Sequence, residues 1–498
     1  MTALERAISR PDPVHDFGSR APMHGLDRRS VPFVDVLAQS VSAVAPSAAA
    51  TTVVLLVAGV SAQVTVLAVA IAGVLSLLVA RTISQFARRF AATGSLYTYT
   101  ARGLGPAAGL AAGGAILVGY GAIAMFALLG GASYTTLLLA ALWPGMHGAS
   151  VLAVVLAAEA LVLVLVLVRG IRLSTRVALL VEGVSVTLIV VLLVVLLTRM
   201  GPVDAAALLP RDVSPAAVAA GALVALTAFV GFESAATLGV EARTPLRAVP
   251  RAMVWTVVVS AGLYLLSAVV QVAGFDALDV VLASSASPVN DLAAAYGVGG
   301  WGVLADVGIA ASFLACAIGS TTALSRVVFT MARDGVLPAK LGRTHRRWGT
   351  PAGALAVALP VVTAVPLLLI VVGVDMRAAM HLTISLGGAG YITAYVLVCV
   401  AMPAFLRRIG EATAGGTVVA WFSAAALSAA LVAFFAVDAA AGGGAVWVAV
   451  AVAAAVAVAV VARLRREGTD LGRVGSYDEP VAAEVLGGVA KRAAPDDG

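Results

Sequence analysis

From about residue 34 to about residue 463 the chain is a succession of apolar runs, each long enough to cross a bilayer. A helix needs about 20 such residues to span the hydrocarbon. Stretches such as 150–168 are apolar on every side, and so lack the period-two alternation of a membrane β-barrel strand. With 61% of residues apolar and 12% charged, a water-soluble enzyme has more apolar surface than it can hide. The spread of the runs excludes a single-span receptor. The pattern predicts an all-α polytopic membrane protein with about 12 transmembrane helices. They fall near 34–58, 62–86, 105–142, 150–168, 177–198, 215–240, 252–273, 301–331, 352–373, 379–402, 416–437 and 444–463.

The connecting segments set the orientation. With both termini in the cytoplasm, 27 of the 32 Lys and Arg residues lie inside and three lie outside, Arg199, Arg211 and Arg377. Arg81 and Arg326 fall within spans. Shifting the register by one helix destroys this positive-inside bias. The outer stretch 274–300 carries Asp276, Asp279 and Asp291 without a base, and is expected to fold into short helices over the outer face. Trp143, Trp301 and Trp447 fall near outer ends, where indole rings favour the interface. The expected location is the cytoplasmic membrane, with the lipid bilayer as partner.

Other classes find little support. The net charge of +6 comes from bases placed singly or in pairs between apolar runs, so no basic stripe offers itself to nucleic acid. Cys316 and Cys399 lie inside spans and make no disulfide framework. The five histidines show no ligand spacing, so neither a metal nor a cofactor is expected. Mid-span His, Asp and Cys are too sparse for a catalytic constellation. Residues 1–33 are polar, with Pro11, Pro13, Pro22 and Pro32, and hold no apolar core of a cleavable leader. They are expected to form a cytoplasmic tail, as is the mixed-charge segment 464–498.

Two spans are interrupted. The first carries Ser42, Ala43, Ala45, Pro46 and Ser47, where proline removes a donor and clashes with the preceding turn. The sixth carries Phe229, Gly231, Phe232, Glu233 and Ser234, a glycine, an acid and a hydroxyl together at mid-span. Irregular backbone at membrane depth is tolerated only where protein or a wet cavity covers it. Breaks five helices apart suit an inverted repeat of spans 1–5 and 6–10, with a ligand site between them. Half-helix N-termini would offer N–H groups to a carboxylate, and freed carbonyls would face an ammonium. A zwitterionic amino acid fits such a place. The chain divides into a tail (1–33), a ten-span core (34–402), two further spans (403–463) and a second tail (464–498).

At these residues the sequence resembles the amino acid–polyamine–organocation (APC) superfamily, specifically its bacterial amino acid permeases. The resemblance runs over roughly residues 33–408. Its strongest stretch is Ala228 to Ala236, continuing through Glu241-Ala-Arg-Thr-Pro245 and Val249-Pro250-Arg251. Leu324-Ser-Arg326-Val, Met331-Ala-Arg333-Asp334-Gly335, Pro338 and Thr350-Pro351 match as well, as do Arg88-Arg-Phe90, Gly94-Ser-Leu-Tyr97 and Leu104-Gly105-Pro106. The resemblance implies a 5+5 inverted repeat of the APC/LeuT type with two extra C-terminal helices, and secondary transport by alternating access. One departure is plain. The family's first break usually carries Gly-Ser/Thr-Gly, where this chain has Ala45-Pro46-Ser47-Ala48.

Glu233 is the leading coupling candidate, since a mid-span acid is expensive to keep charged and the resemblance matches it to an acid used in proton-linked gating. Glu182, in the fifth span, is the second. Some proton-coupled relatives place a lysine near there, in the position of a sodium ion. Ser320 and Thr321, with Thr322, are the sodium alternative, two hydroxyls on one turn facing first-span carbonyls. Tyr120, Phe229 and Phe232 are expected to wall the pocket. Arg326 is expected to pair with an acid at the inner gate, Glu159 to have a pairing or interfacial role, and His381 to sit at the interface. No Gly-x-x-x-x-Gly-Lys-Ser/Thr loop is present, which disfavours ATP as the driving force. The function implied is proton-coupled amino acid uptake by a monomer or homodimer. An exchanger, a polyamine carrier and a non-transporting amino acid sensor are the alternatives.

Overall fold

The computed structural model describes residues 29–61, 64–169, 171–203, 214–285, 287–345, 348–440 and 444–467, with Leu26, Leu208, Leu471, Val474 and Gly475. Most of the two expected tails lies outside the described residues, as do Arg28, Arg211, Arg346 and Arg347 of the charge pattern. Among the described residues, ten helices are long and apolar enough to cross a membrane, and two shorter apolar helices lie at the sixth and twelfth positions.

The helices begin where proline allows and continue where apolar side chains repeat. The first span is two helices, α1 (Phe33–Val44) and α2 (Pro46–Ser61). Ala45 between them lies in the left-handed region, φ 50°, which no helix interior adopts. α3 (Thr65–Ala87) follows, then α4 (Leu96–Leu104), α5 (Pro106–Leu142), α6 (Ala149–Val168) and α7 (Ile171–Met200). The sixth span is α8 (Pro215–Leu226), an open stretch, and a 3-10 helix at Phe232–Leu238. Then come α9 (Pro245–Ala277), α10 (Pro288–Ala295), α11 (Gly299–Arg333), α12 (Ala352–Val371), α13 (Met376–Arg408), α14 (Ala414–Ala440) and α15 (Ala445–Glu467). Proline at the first helical position starts α2, α5, α8, α9 and α10, where its missing N–H has no partner to lose.

Three features differ from the sequence expectation. The seventh span begins at Pro245, not near 252, because the helix runs on past the apolar stretch through Arg247 and Arg251. α4 was expected to be loop, since nine residues of mixed polarity give no spanning signal; its burial against α5 and α13 holds it in place. The second half of the sixth span is a 3-10 helix, a tighter coil suited to short pieces. The expected short outer helices are present as a 3-10 turn at Leu282–Ser284 and α10.

Packing follows the repeat. α3 lies along α9, α5 along α11, α5 along α13, and α7 along α11. Adding five to each span number turns the second–seventh and third–eighth pairs into themselves and the third–tenth pair into the eighth–fifth. The breaks obey the same relation, because α1 packs on the 3-10 segment while α2 packs on α8. At the end where α1 begins, the chain before it pairs with the chain after the 3-10 segment. Val31 N–H reaches Glu241 O at 2.9 Å, and Arg243 N–H reaches Val31 O at 2.9 Å.

Candidate functional site

The two breaks meet at Gly231, which has φ 103°; a Cβ there would come within 2.8 Å of Ala43 O. Glycine is therefore required both by the left-handed backbone and by the approach of the first span. α11 closes in similarly, since a Cβ on Gly319 would stand 2.7 Å from Ser42 Oγ. Side chains then tie the loose peptide ends together. Gln39 Nε2 donates to Gly319 O at 2.8 Å, Ser40 Oγ to Phe232 O at 2.6 Å, and Ser234 Oγ to Gln39 O at 3.1 Å. Tyr264 hydroxyl donates to Ala228 O at 2.8 Å. Ala228 O and Phe232 O lie where the sixth span is no longer α-helical, so these bonds supply partners to carbonyls released by the break.

Glu233 is fully buried at the second break. Tyr120, from α5, donates its hydroxyl to Oε1 at 2.7 Å; Tyr395, from α13, donates to Oε2; Gly231 N–H approaches Oε2 at 3.2 Å. The carboxylate thus joins the third, sixth and tenth spans. Glu182, from α7, is attached to the first break. Its Oε1 accepts from Ser47 N–H at 3.1 Å, Ser47 Oγ at 3.2 Å and Ser312 Oγ at 3.0 Å.

Beside the breaks lies a small cavity of about 30 Å³. That is room for about two waters. Of the residues expected at the site, Ala43 and Ala45 line it. Ile123, Phe126, Val230, Phe313, Cys316 and Ile384 supply much of the rest. The remaining candidates form a shell around the breaks. Ser42 Oγ donates to Gln39 O at 3.2 Å. Pro46 starts α2. Phe229 stands edge-on to Tyr264 with ring centroids 4.9 Å apart, and Phe232 stacks on Tyr395 at 5.4 Å. In α11, Ser320 Oγ lies 3.9 Å from Cys316 Sγ, while the buried hydroxyls of Thr321 and Thr322 have no hydrogen-bond partner among the described residues. Arg326 Nε donates to Glu241 Oε2 at 2.8 Å, both side chains buried. Thr135 Oγ1 donates to Glu159 Oε1 at 2.9 Å, which joins the third and fourth spans. His381 is exposed.

Sequence inspection missed Gln39, Tyr395, Ser312 and Cys316. A buried amide within an apolar span is a signal for Gln39, and the Tyr391–Tyr395 pair one helical turn apart is a signal for Tyr395. Ser312 carries none, because a lone serine in a membrane helix ordinarily satisfies its own backbone.

A 5+5 repeat of membrane helices, broken at the first and sixth spans beside a small cavity, is the LeuT-type architecture of multi-pass membrane proteins. The chain matches the amino acid permease family over residues 36–468 and belongs to that family. Its fold is similar to that in the crystal structure of MhsT in complex with L-phenylalanine. That likeness has a TM-score of 0.54 and 16% identity, over 82% of this chain and 100% of that one, and is one of fold. Among curated proteins the chain is similar to uncharacterized transporters of Mycobacterium tuberculosis and Mycobacterium bovis. The identity is 30% over 302 residues, 60% of this chain and 64% of theirs. The match therefore spans a little under two thirds of those relatives. Neither the family nor the relatives' names point to an enzyme.

Proposed function

We propose that this protein is a secondary active transporter that takes amino acids into the cell by alternating access, coupled to protons. It lies in the cytoplasmic membrane with both termini inside. Residues 34–402 form the transport core, 403–463 two accessory spans, and 1–33 and 464–498 the tails. The observation that carries this reading is the pair of broken helices enclosing a cavity, with a buried carboxylate fastened to each break. Apolar cavity walls favour an amino acid with an apolar side chain over a polyamine, which would want acids in the lining. The similar fold of MhsT was captured with L-phenylalanine, an amino acid with an apolar side chain. Glu233 and Glu182 are the coupling residues; Ser42, Ala43, Ala45, Pro46, Ser47, Tyr120, Phe229, Gly231, Phe232 and Ser234 form the ligand site and its immediate support.

The energetics are adequate. One charge crossing 100 mV supplies about 2.3 kcal/mol, enough to hold a gradient of roughly 40-fold. The test is uptake of labelled amino acids into proteoliposomes under an imposed pH gradient and voltage. Accumulation that rises as the external pH falls is expected. Glu233→Gln keeps the shape of the side chain but cannot exchange a proton, and is expected to flatten that pH profile. An unchanged profile would move the coupling away from Glu233. Counterflow without net uptake would indicate an exchanger, and binding without flux a sensor.

A further inference from the structure

A helix that starts in mid-membrane exposes the N–H groups of its first turn, and those of α2 can be followed one by one. Ala45 N–H returns to Val41 O at 3.0 Å. Pro46 has none. Ser47 N–H goes to Glu182 Oε1, Ala48 N–H to Ser312 Oγ at 3.2 Å, and Ala49 N–H to Ala45 O at 3.0 Å. Ser312 in turn donates to the same Glu182 oxygen. The positive end of α2, expected from sequence to be open to a ligand, is thus already filled by a carboxylate of the protein itself.

That carboxylate is an expensive cap. Glu182 is 1% exposed, and its second oxygen, Oε2, has no hydrogen-bond partner among the described residues. No Lys or Arg pairs with it among the described residues. The titratable groups that face it are the Tyr264 hydroxyl from α9 and the Cys316 thiol from α11; the first span presents Ser47. A serine or asparagine would cap the same turn without burying a charge. What only an acid supplies is a negative charge at the helix N-terminus, the same charge that an amino acid carboxylate would bring there. The cavity reaches that turn, since Ala45, Ala48 and Ala49 are among its walls.

We infer that Glu182 is an internal stand-in for the ligand's carboxylate. With the site empty it holds the Ser47 and Ala48 N–H groups, directly and through Ser312. An incoming amino acid takes them over once Glu182 has accepted a proton. Two carboxylates at one pair of donors cannot both stay ionised. The balance is one zwitterion and one proton bound per molecule of protein, the proton residing on Glu182 and nothing else changing. This rests on the permease reading and gives its proton requirement a place in binding, separate from Glu233, which is fastened to the third and tenth spans.

The test is calorimetric titration of the purified full-length protein with L-leucine, L-alanine and L-phenylalanine, and with the matching amines isoamylamine, ethylamine and phenethylamine. Titrations run from about pH 5 to about pH 8 in buffers of different ionisation enthalpy. For an amino acid that binds, the expected result is uptake that rises toward one proton per ligand at the alkaline end of that range. Its Kd should weaken with rising pH, approaching tenfold per unit. An amine that binds should show neither effect. Glu182→Gln should bind the amino acid with a pH-independent Kd and no proton uptake. Wild-type binding without proton uptake overturns the inference and leaves the permease reading standing; it needs no variant to fold. A wild-type slope retained in Glu182→Gln also overturns it. If all three amino acids and the remaining common ones fail to bind at any pH, the permease reading falls and this inference with it.

Discussion

At the scale of single residues, the site depends on two backbone positions that hold the breaks open. Ala45 adopts φ 50° and Gly231 φ 103°. An L-residue in the left-handed region costs about 1–2 kcal/mol, and Ala45 bears that cost. Ala45→Gly should therefore leave uptake within about twofold of wild type and raise the unfolding free energy by up to about 1 kcal/mol. Gly231→Ala should do the opposite. Its methyl would meet Ala43 O at 2.8 Å and Ala43 Cβ at 3.1 Å, and backbone on backbone cannot yield as a flexible side chain can. We expect at least a tenfold loss of transport from that contact, about 1.4 kcal/mol of misplacement or more. Initial rates in proteoliposomes and a detergent melting curve measure both variants. Equal behaviour of the two would mean that neither break is held by these residues.

At the scale of elements, the end where α1 begins is closed by pairing segments that are far apart in sequence. The strand-like contact of Val31 with Ala242 is one closure; the Arg326–Glu241 ion pair, with side chains 4% and 3% exposed, is the other. Removing one partner of a buried pair leaves an uncompensated charge and typically costs about 3–5 kcal/mol. Glu241→Gln and Arg326→Met should each lower the melting temperature markedly. The double variant should recover part of that loss, and a double-mutant cycle by thermal unfolding gives the coupling. Strict additivity would mean that the pair contributes nothing. Arg326 was legible as a cation inside a span, and Glu241 as part of a family motif. Their meeting follows from the repeat packing that brings α11 to the end of the sixth span. The same division holds elsewhere. Apolar length reveals the spans, and Pro46 and Gly231 reveal the breaks, because each is a local property. The course of α4, the 3-10 form of Phe232–Leu238 and the attachment of Glu182 to Ser47 are set by neighbours far along the chain, which local pattern does not report.

At the scale of the whole molecule, the cavity beside the breaks and the repeat predict alternation, and the chain carries its own reporter of it. Cys316 lines the cavity and its thiol donates to Ala43 O at 3.3 Å, across the line where the first and eighth spans must part. Cys399, the other cysteine, is buried in α13 away from the cavity lining. In a Cys399→Ser background, a small membrane-impermeant methanethiosulfonate applied from either side should modify Cys316, because each open state exposes the same site to a different face. Modification should stop transport, as the added group fills a space with room for about two waters. A transported amino acid should slow modification from both sides. Inverted-repeat symmetry makes the two-sided result the decisive one. A rigid binding protein with one entrance would be labelled from one side only, and a protein whose first and eighth spans never separate would not be labelled at all. One-sided labelling with undiminished amino acid binding would replace alternating access by a fixed receptor built on the same fold.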